Sequence, residues 1–524
     1  MGITAVDVVL PCAIAFVSWR ASILLYAYRA YGPSDLYPAF IPLSLPGVTF
    51  GMGLIWTWNR RPDGYGNKEC IRITPLLWGY STLYVRSPEV LRQVAGGGSN
   101  KTWIKPDWAN GSLLLYGQNL ATENLEGWRR HRRIMQPSFS RSTYELVWRE
   151  TTRIYHDMVK TEGWNTQSGS IVSIKAINQL TFKLGLYVIG SCGFGLPEKF
   201  TWADPPKGEK GQGNIQSNIA SVEKSSLTIQ FAPKWIWKLP SKRLRTMWEE
   251  YTSLTSFIHT EVAQRKAIID EALANGGDDA LDSVNQDVFS RLVLASQSDG
   301  KQALSDSELI GNTFVLLFAG HDTTSSTLAA AIALLAYHTD EQDKAHQEIV
   351  KVIEENPQFD FSLSSQLSYI TSIFLEAVRL YPAGEVGIRE CLEDTMLRIP
   401  PSDEKSPPVD VAMPKGSTVV VDFIAMQYHS RQFADPLAFR PSRWAEVGED
   451  SATAFSTGPR ACIGKKFAQT EATCFLTNLL RDWRIEPLLN PGETKEQWKT
   501  RVLGKVKIVL TLTIADVPVR LVRR

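Results

Sequence analysis

One cysteine lies where the chain could hold a thiolate as a metal ligand. Cys462 occurs in a glycine-punctuated stretch between Phe455 and Gly464, immediately before a sequence with a helical pattern. Unpaired backbone N–H groups and the dipole at a helix start favour an anion, and Arg460 adds a positive charge nearby. This pattern predicts a thiolate that binds a metal; a buried, inert cysteine in a turn is the alternative.

Polar residues also interrupt a long apolar stretch with a helical pattern. Asp322 and Thr323 follow Ala319 and Gly320 within the run ELIGNTFVLLFAGHDTTSSTLAAAIALLAYH. Asp, Thr and Gly all lower helix propensity, and such departures inside a buried helix often mark a functional site. A helix kink, or hydroxyls that bond to their own helix, is the alternative.

Two further patterns place polar side chains on one helix face. Glu376 and Arg379 are three residues apart and can form a salt bridge. The apolar residues around them indicate a buried, structural pair rather than a surface pair. Trp128 and Arg132 are four residues apart, so an indole N–H and a guanidinium could donate to one carboxylate. A solvated basic face is the alternative for this second pair.

These segments resemble the signatures of the cytochrome P450 haem-thiolate monooxygenases. The stretch from Phe455 to Gly464 matches FxxGxRxCxG at all five fixed positions, and Ala319 to Thr323 resembles AGxDT. Glu376 to Arg379 resembles the family's ExxR element. The segments follow one another in the family's order, and the resemblance covers roughly residues 65–515.

The resemblance implies a role for each residue of the site. Cys462 would be the axial iron ligand of a haem b, Thr323 would bind dioxygen, and Asp322 would supply protons through water. The residues implied to bind the haem are Trp128, Arg132, Arg389, Phe455, Arg460, Cys462 and Gly464. The implied structural ion-pair triad consists of Glu376, Arg379 and Arg443. The implied substrate pocket contains Phe314, Val315, Phe318, Ala319, Val386 and Ile388, joined by the loop around 108–120 and the stretch 225–240.

Composition limits the class of protein and fold. With 44% hydrophobic and 21% charged residues, the 524-residue chain is a folded globular protein, and a net charge of +1 argues against nucleic-acid binding. Six cysteines without a CxxC pair argue against a disulfide scaffold or a zinc finger. Long helical patterns between about 120 and 385, with short β-like runs on either side, predict a mainly α fold with small β-sheets. The resemblance implies a triangular, helix-rich prism that encloses the haem.

The N-terminal region is predicted to be a membrane anchor. Residues 8–19 are apolar, but Arg20 ends this run before it is long enough to span a bilayer. The uncharged stretch 36–58 is long enough, although its three prolines disfavour one uninterrupted helix. Arg60 and Arg61 after it would place the following chain in the cytosol. A cleaved signal peptide, and a Pro-rich apolar arm packed on the body, are the alternatives.

The domain prediction follows from these patterns. We expect an anchor with a Pro-rich hinge over residues 1–61 and one catalytic domain over residues 62–524. The polar stretches 203–216 and 273–287 are expected to be surface loops, because apolar periodicity resumes on both sides of each.

The predicted function is that of a membrane-bound monooxygenase. It would insert one oxygen atom of O2 into an apolar small molecule, such as a terpenoid, a sterol or a xenobiotic. Electrons would come from NADPH through NADPH-cytochrome P450 reductase, with cytochrome b5 as a second candidate partner, because the chain has no dinucleotide-binding GxGxxG in a βαβ setting. The expected location is the endoplasmic reticulum membrane, with the catalytic domain in the cytosol. A haem-thiolate isomerase or dehydratase, which would commonly lack the Asp-Thr pair, and a non-catalytic, membrane-tethered haem sensor are the alternatives.

Overall fold

The described chain divides into two compact units. The computed structural model describes residues 5–44, 46–47, 55–61, 63–95, 101–165, 171–196, 201–202, 215–275, 287–298, 303–356, 358–401, 406–508 and 511–524. The β-rich unit comprises Met1–Pro106, Gly384–Leu437 and Ser456–Arg460. The helical unit comprises Asp107–Ala383, Ala438–Phe455 and Ala461–Arg524. Most of the two predicted surface loops lies outside the described residues, and the predicted domain boundary at residue 61 stays a prediction.

The β-rich unit contains a five-stranded sheet. The strand order across the sheet is Cys70–Ile73, Thr82–Val85, Thr418–Asp422, Val386–Cys391 and Trp103–Ile104. The second and third strands are parallel, whereas the other neighbours are antiparallel. The strands are rich in β-branched residues, which suit a pleated, buried surface, and Val85, Val419 and Val421 lie in its core. The unit also contains a hairpin and four helices: Thr395–Ile399, Val409–Met413, Ala5–Tyr31, Trp56–Asn59, Pro88–Val94 and Phe423–Gln427.

The helix Ala5–Tyr31, which we call the N-terminal helix, corrects the predicted position of the apolar span. The choice of residues 36–58 is wrong, because Leu36 and Phe40 form β-bridges within the β-rich unit and the described part of this segment contains no long helix. That part is the packed apolar arm of the alternative interpretation. The physical reason is Arg20. In the sequence this charge ends an apolar run, but in the structure backbone carbonyls bind its guanidinium, and the helix continues past it.

The helical unit is arranged around one long helix, Asp306–Tyr337, which we call the central helix. A capping box fixes its start: Ser305 Oγ accepts from the Glu308 N–H, and the Glu308 carboxylate accepts from the Ser305 N–H at 2.9 Å. The Ala-rich part from Thr324 to Ala336 is buried throughout. The helix Ile177–Val188 crosses closely at Gly185, where a Cβ atom would lie 3.0 Å from a central-helix carbonyl.

Among the described residues, the helical unit also contains ten further α-helices and two small β-sheets. Its other long helices are Leu125–Met135, Arg141–Thr161, Ile215–Phe231, Lys242–Asn275, Val288–Ser298, Thr339–Glu355, Ser368–Leu380, Lys465–Asp482 and Lys495–Leu503, with a short one at Trp444–Val447. A three-stranded sheet has the order Ile171–Ile174, Val519–Arg523 and Trp483–Pro487, and a hairpin pairs Val506–Ile508 with Leu512–Ile514. The prediction of a mainly α fold with small β-sheets is confirmed.

Candidate active site

The cysteine loop joins Phe455 to the start of Lys465–Asp482, which we call the cysteine helix. The Cys462 N–H donates to the Phe455 carbonyl at 2.9 Å, which holds the thiol just before the first helical turn. Solvent reaches Cys462, although protein atoms surround it closely. This burial raises the pKa of the thiol, while the N–H groups of Gly464 and Lys465 and the charge of Arg132 act in the opposite direction. The loop therefore offers the sulfur directed donors, as a metal-binding thiolate requires.

Arg132 lies beside this loop, as the sequence predicts. It is on helix Leu125–Met135, and its guanidinium donates to the Ala461 carbonyl at 3.1 Å and to Gln136 Oε1 at 3.0 Å. Burial lowers the pKa of Arg132, and the nearby Cys462 thiol opposes this change. Trp128 is buried one turn earlier on the same helix. The structure thus brings Arg132 together with Ala461 and Cys462 inside the helical unit.

A cluster of cations occupies the β-rich unit. Arg389 is buried on strand Val386–Cys391, where burial lowers its pKa to about 10. Burial, followed by the positive charges of Arg389 and Arg460, lowers the pKa of Lys105 to about 7. Three cations in close proximity suit a ligand with carboxylate groups. The sequence does not indicate Lys105, because a single lysine in the segment WIKPDW belongs to no recognisable pattern.

The segment from Ala319 to Thr323 is a solvent-accessible part of the otherwise mostly buried central helix. Ala319 is exposed, and Asp322 and Thr323 are half-buried. Thr323 Oγ1 donates to the Ala319 carbonyl at 2.9 Å, so the hydroxyl bonds to its own helix as in the alternative interpretation. The Asp322 carboxylate accepts from Thr511 Oγ1, a partner that no sequence pattern indicates. The central helix continues without a break through these residues.

The predicted ion-pair triad is assembled and fully buried. Glu376 accepts from Arg379 Nη2 at 2.9 Å, from Arg379 Nε at 3.0 Å and from Arg443 Nε at 3.0 Å. The indole N–H of Trp444 and the backbone N–H of Arg440 each add a bond of 3.0 Å, and neither is evident from the sequence. Burial lowers the pKa of Arg443, and the charge of Glu376 opposes this.

The predicted pocket residues fall in both units. Phe314, Val315 and Phe318 are buried on the central helix, and the ring centroids of Phe314 and Phe318 are 5.4 Å apart. From the predicted loop 108–120, Tyr116 packs on Phe314 with a centroid distance of 4.4 Å. In the β-rich unit, the predicted pocket residues on the sheet are half-buried and pack partly against its core: Val386 and Ile388.

Comparisons with known proteins agree with this arrangement. A sequence model described as Cytochrome P450 matches residues 75–512. Cytochrome P450 monooxygenase 124 of Postia placenta is 31% identical over 420 residues, which cover 79% of this chain and 78% of that protein. Pentalenene oxygenase of Streptomyces avermitilis is 27% identical over 85% of this chain and 92% of its own length, and Cytochrome P450 monooxygenase prx9 of Penicillium rubens is 28% identical over 73% and 70%. The chain therefore belongs to the cytochrome P450 family and is a haem-thiolate monooxygenase.

Proposed function

We propose that this monooxygenase transfers one atom of O2 to an apolar small molecule of the terpenoid, sterol or xenobiotic kind. The observation that carries the proposal is the accessible Cys462 thiol, which lies among backbone N–H donors and beside Arg132. The apolar side chains before Ala319 on the central helix support an apolar substrate. A relative named pentalenene oxygenase supports a small organic molecule as the substrate.

The residues present fit a haem with a thiolate ligand. Cys462 would bind the iron as a thiolate, since coordination to a metal cation deprotonates a thiol. Within the helical unit, Trp128 and Arg132 are suited to bind a carboxylate, and within the β-rich unit the cations Lys105, Arg389 and Arg460 are suited to do the same. Phe455 and Gly464 would shape the loop around the sulfur. When bound, such a haem supplies an oxidant able to hydroxylate unactivated C–H bonds.

Asp322 and Thr323 would bring protons to the reacting oxygen. The Thr323 hydroxyl can exchange its weak bond to the Ala319 carbonyl for a bond to dioxygen or water. The Asp322 carboxylate, bound by Thr511 and accessible to solvent, can pass protons to that hydroxyl through water. Electrons would come from NADPH through NADPH-cytochrome P450 reductase, with cytochrome b5 as a further donor.

We further propose that the enzyme lies in the endoplasmic reticulum membrane with its catalytic domain in the cytosol, and the N-terminal helix supports the membrane location. This helix contains a 24-residue apolar span, Val8–Tyr31, with most side chains exposed. Alkaline extraction of membranes that contain the full-length enzyme tests this location: we expect the enzyme to stay in the pellet, and release into the soluble fraction would contradict an anchor.

Turnover under ¹⁸O2 tests the reaction. Candidate substrates are first selected by the spin-state shift that they induce in the absorption spectrum, and are then incubated with NADPH and the reductase. We expect a product that carries one ¹⁸O atom and forms only with NADPH. A product formed without NADPH and O2 would indicate an isomerase or dehydratase, and tight binding without any product would indicate a sensor.

A further inference from the structure

A buried arginine lies in the middle of the N-terminal helix. Arg20 is the thirteenth residue of the span Val8–Tyr31 and is only 4% exposed, although Trp19 and Ala21 on either side of it are exposed. Its guanidinium donates to the carbonyls of Leu76 and Gly79, both at 3.0 Å, and to the carbonyl of Pro75. The charge is therefore bound by the backbone of one short segment, residues 75–80.

The side chains of this segment, which we call the apolar loop, point outward. Leu76, Leu77, Trp78 and Tyr80 are all exposed, Tyr80 by 73%. Residues 75–81, PLLWGYS, contain no charged side chain. The loop is held in place, because the Leu76 N–H donates to the Pro38 carbonyl at 2.7 Å and the Leu77 N–H donates to the Ala39 carbonyl at 2.8 Å.

The N-terminal helix is fixed to the β-rich unit at a second point. At its C-terminal end, Tyr31 Oη lies 3.0 Å from Ser417 Oγ, and the Arg72 guanidinium lies 4.0 Å from the centroid of the Tyr31 ring. Contacts at Arg20 and Tyr31 hold the second half of the helix along the unit. The Trp19 ring also lies beside the apolar loop, with its centroid 5.9 Å from that of Trp78, so that only the part from Val8 to Ser18 extends free of these contacts.

Helix length shows what this attachment requires. Eleven residues of helix are about 17 Å long, whereas the hydrocarbon core of a bilayer is about 30 Å thick. The free half of the helix is therefore too short to cross the core alone. A membrane-spanning N-terminal helix must take Arg20 below the membrane surface, and the apolar loop that binds Arg20 must enter with it.

We propose that the apolar loop is a second membrane-inserted element, and that Arg20 clamps it to the N-terminal helix as one lipid-facing surface. The carbonyls of the apolar loop accept hydrogen bonds from a guanidinium that would otherwise be costly to place in lipid. In return, the guanidinium donates to carbonyls that lipid cannot bind. Outward Leu and Trp side chains, with Tyr80 beside them, are typical of a segment in the membrane interface. The proposal rests on the proposed membrane anchor and extends it to the β-rich unit.

Site-specific spin labels on the full-length haem enzyme test the proposal in phosphatidylcholine vesicles. Tyr80→Cys in a Cys12→Ala background carries the label in the loop, and Leu437→Cys, at a site 67% exposed in the same unit, is the control. We expect the label at position 80 to collide with lipid-soluble oxygen more than with a water-soluble nickel chelate, and the label at position 437 to show the reverse. Equal behaviour of the two labels would overturn the proposal, as would shielding of position 80 from both reagents, since protein would then cover it.

Two further measurements separate the anchor from the clamp. A label on the native Cys12 reports the N-terminal helix, so a lipid-exposed Cys12 with a water-exposed position 80 refutes this proposal alone, and a water-exposed Cys12 refutes the anchor. Arg20→Leu should move the label at position 80 toward water while Cys12 stays in lipid. Arg29→Leu removes the same charge from an exposed site and should leave both labels unchanged. An unchanged label at position 80 in Arg20→Leu would refute the clamp.

Discussion

Two fully buried glutamates in the helical unit meet opposite surroundings. Glu376 accepts bonds from two arginines, an indole and a backbone N–H. Glu471, on the cysteine helix, has neither carboxyl oxygen bonded by any partner in the part of the chain that the structure describes. Burial raises the pKa of Glu471 well above its usual range. The fold therefore surrounds one glutamate with donors that suit a carboxylate, whereas it leaves the other where burial favours the protonated form.

The comparison shows that burial alone does not decide the charge of a side chain. A buried carboxylate is stable only when its partners replace the lost water, and without them the proton stays on. Cys462 combines features of both glutamates. Burial raises its pKa, as it does for Glu471. The nearby N–H donors and Arg132 act in the opposite direction, and they resemble the donors that surround Glu376.

Cys462→Ala should have the largest effect, because it removes the proposed metal ligand. We expect complete loss of the red-shifted absorption band of the reduced carbon monoxide complex, together with loss of turnover. Cys474→Ala is the matched control, since this cysteine is buried in the cysteine helix and donates to the Trp148 carbonyl at 3.3 Å. Persistence of the band in Cys462→Ala would mean that a residue other than Cys462 provides the thiolate.

Glu376→Gln should destabilise the fold by about 3–5 kcal/mol, because Arg379 and Arg443 would keep their buried charges and lose the opposite one. The free energy of unfolding in urea, followed by circular dichroism, measures this effect. Glu446→Gln, at an exposed ion pair with Arg440, should change it by less than about 1 kcal/mol. Similar losses in both variants would remove the distinction between a cage and a surface pair.

Part of this arrangement is predictable from sequence, and the missing part has one physical cause. The spacing of Glu376 and Arg379 predicts their pairing, since side chains three residues apart share a helix face. The family pattern adds Arg443, but the bonds from Trp444 and from a backbone N–H depend on tertiary structure. Arg20 is misread for the same reason: its partners are backbone carbonyls, which every residue has and no pattern marks. Partners that only the tertiary structure brings together are thus the part that the sequence does not indicate.

Thr323→Ala should have a partial effect, because Thr323 is bonded but can exchange its partner. We expect continued NADPH consumption with a larger share of electrons released as hydrogen peroxide, measured as the ratio of peroxide to product. Thr324→Ala is the matched control: its hydroxyl donates to the Gly320 carbonyl at 3.2 Å in the same way, but the residue is buried. Equal uncoupling in both variants would indicate a change in the helix rather than a lost proton donor.

Glu471→Gln should hardly change the free energy of unfolding at acidic pH. As the pH rises, the variant should become more stable than the native protein. The folded state retains a proton on Glu471 that the unfolded state loses above about pH 4.3, so increasing pH favours unfolding of the native protein. The contribution reaches about 1.4 kcal/mol per pH unit between the unfolded pKa and the raised folded pKa. Glutamine has no such proton, so the unfolding free energies of the two proteins should be similar near pH 4.5 and diverge toward neutral pH.

Urea titrations at several pH values measure this divergence, with Glu446→Gln as the exposed control. A pH-independent difference between Glu471→Gln and the native protein would mean that Glu471 is ionised in the folded state. It would then have a partner of the kind that Glu376 has, and the contrast between the two glutamates would disappear.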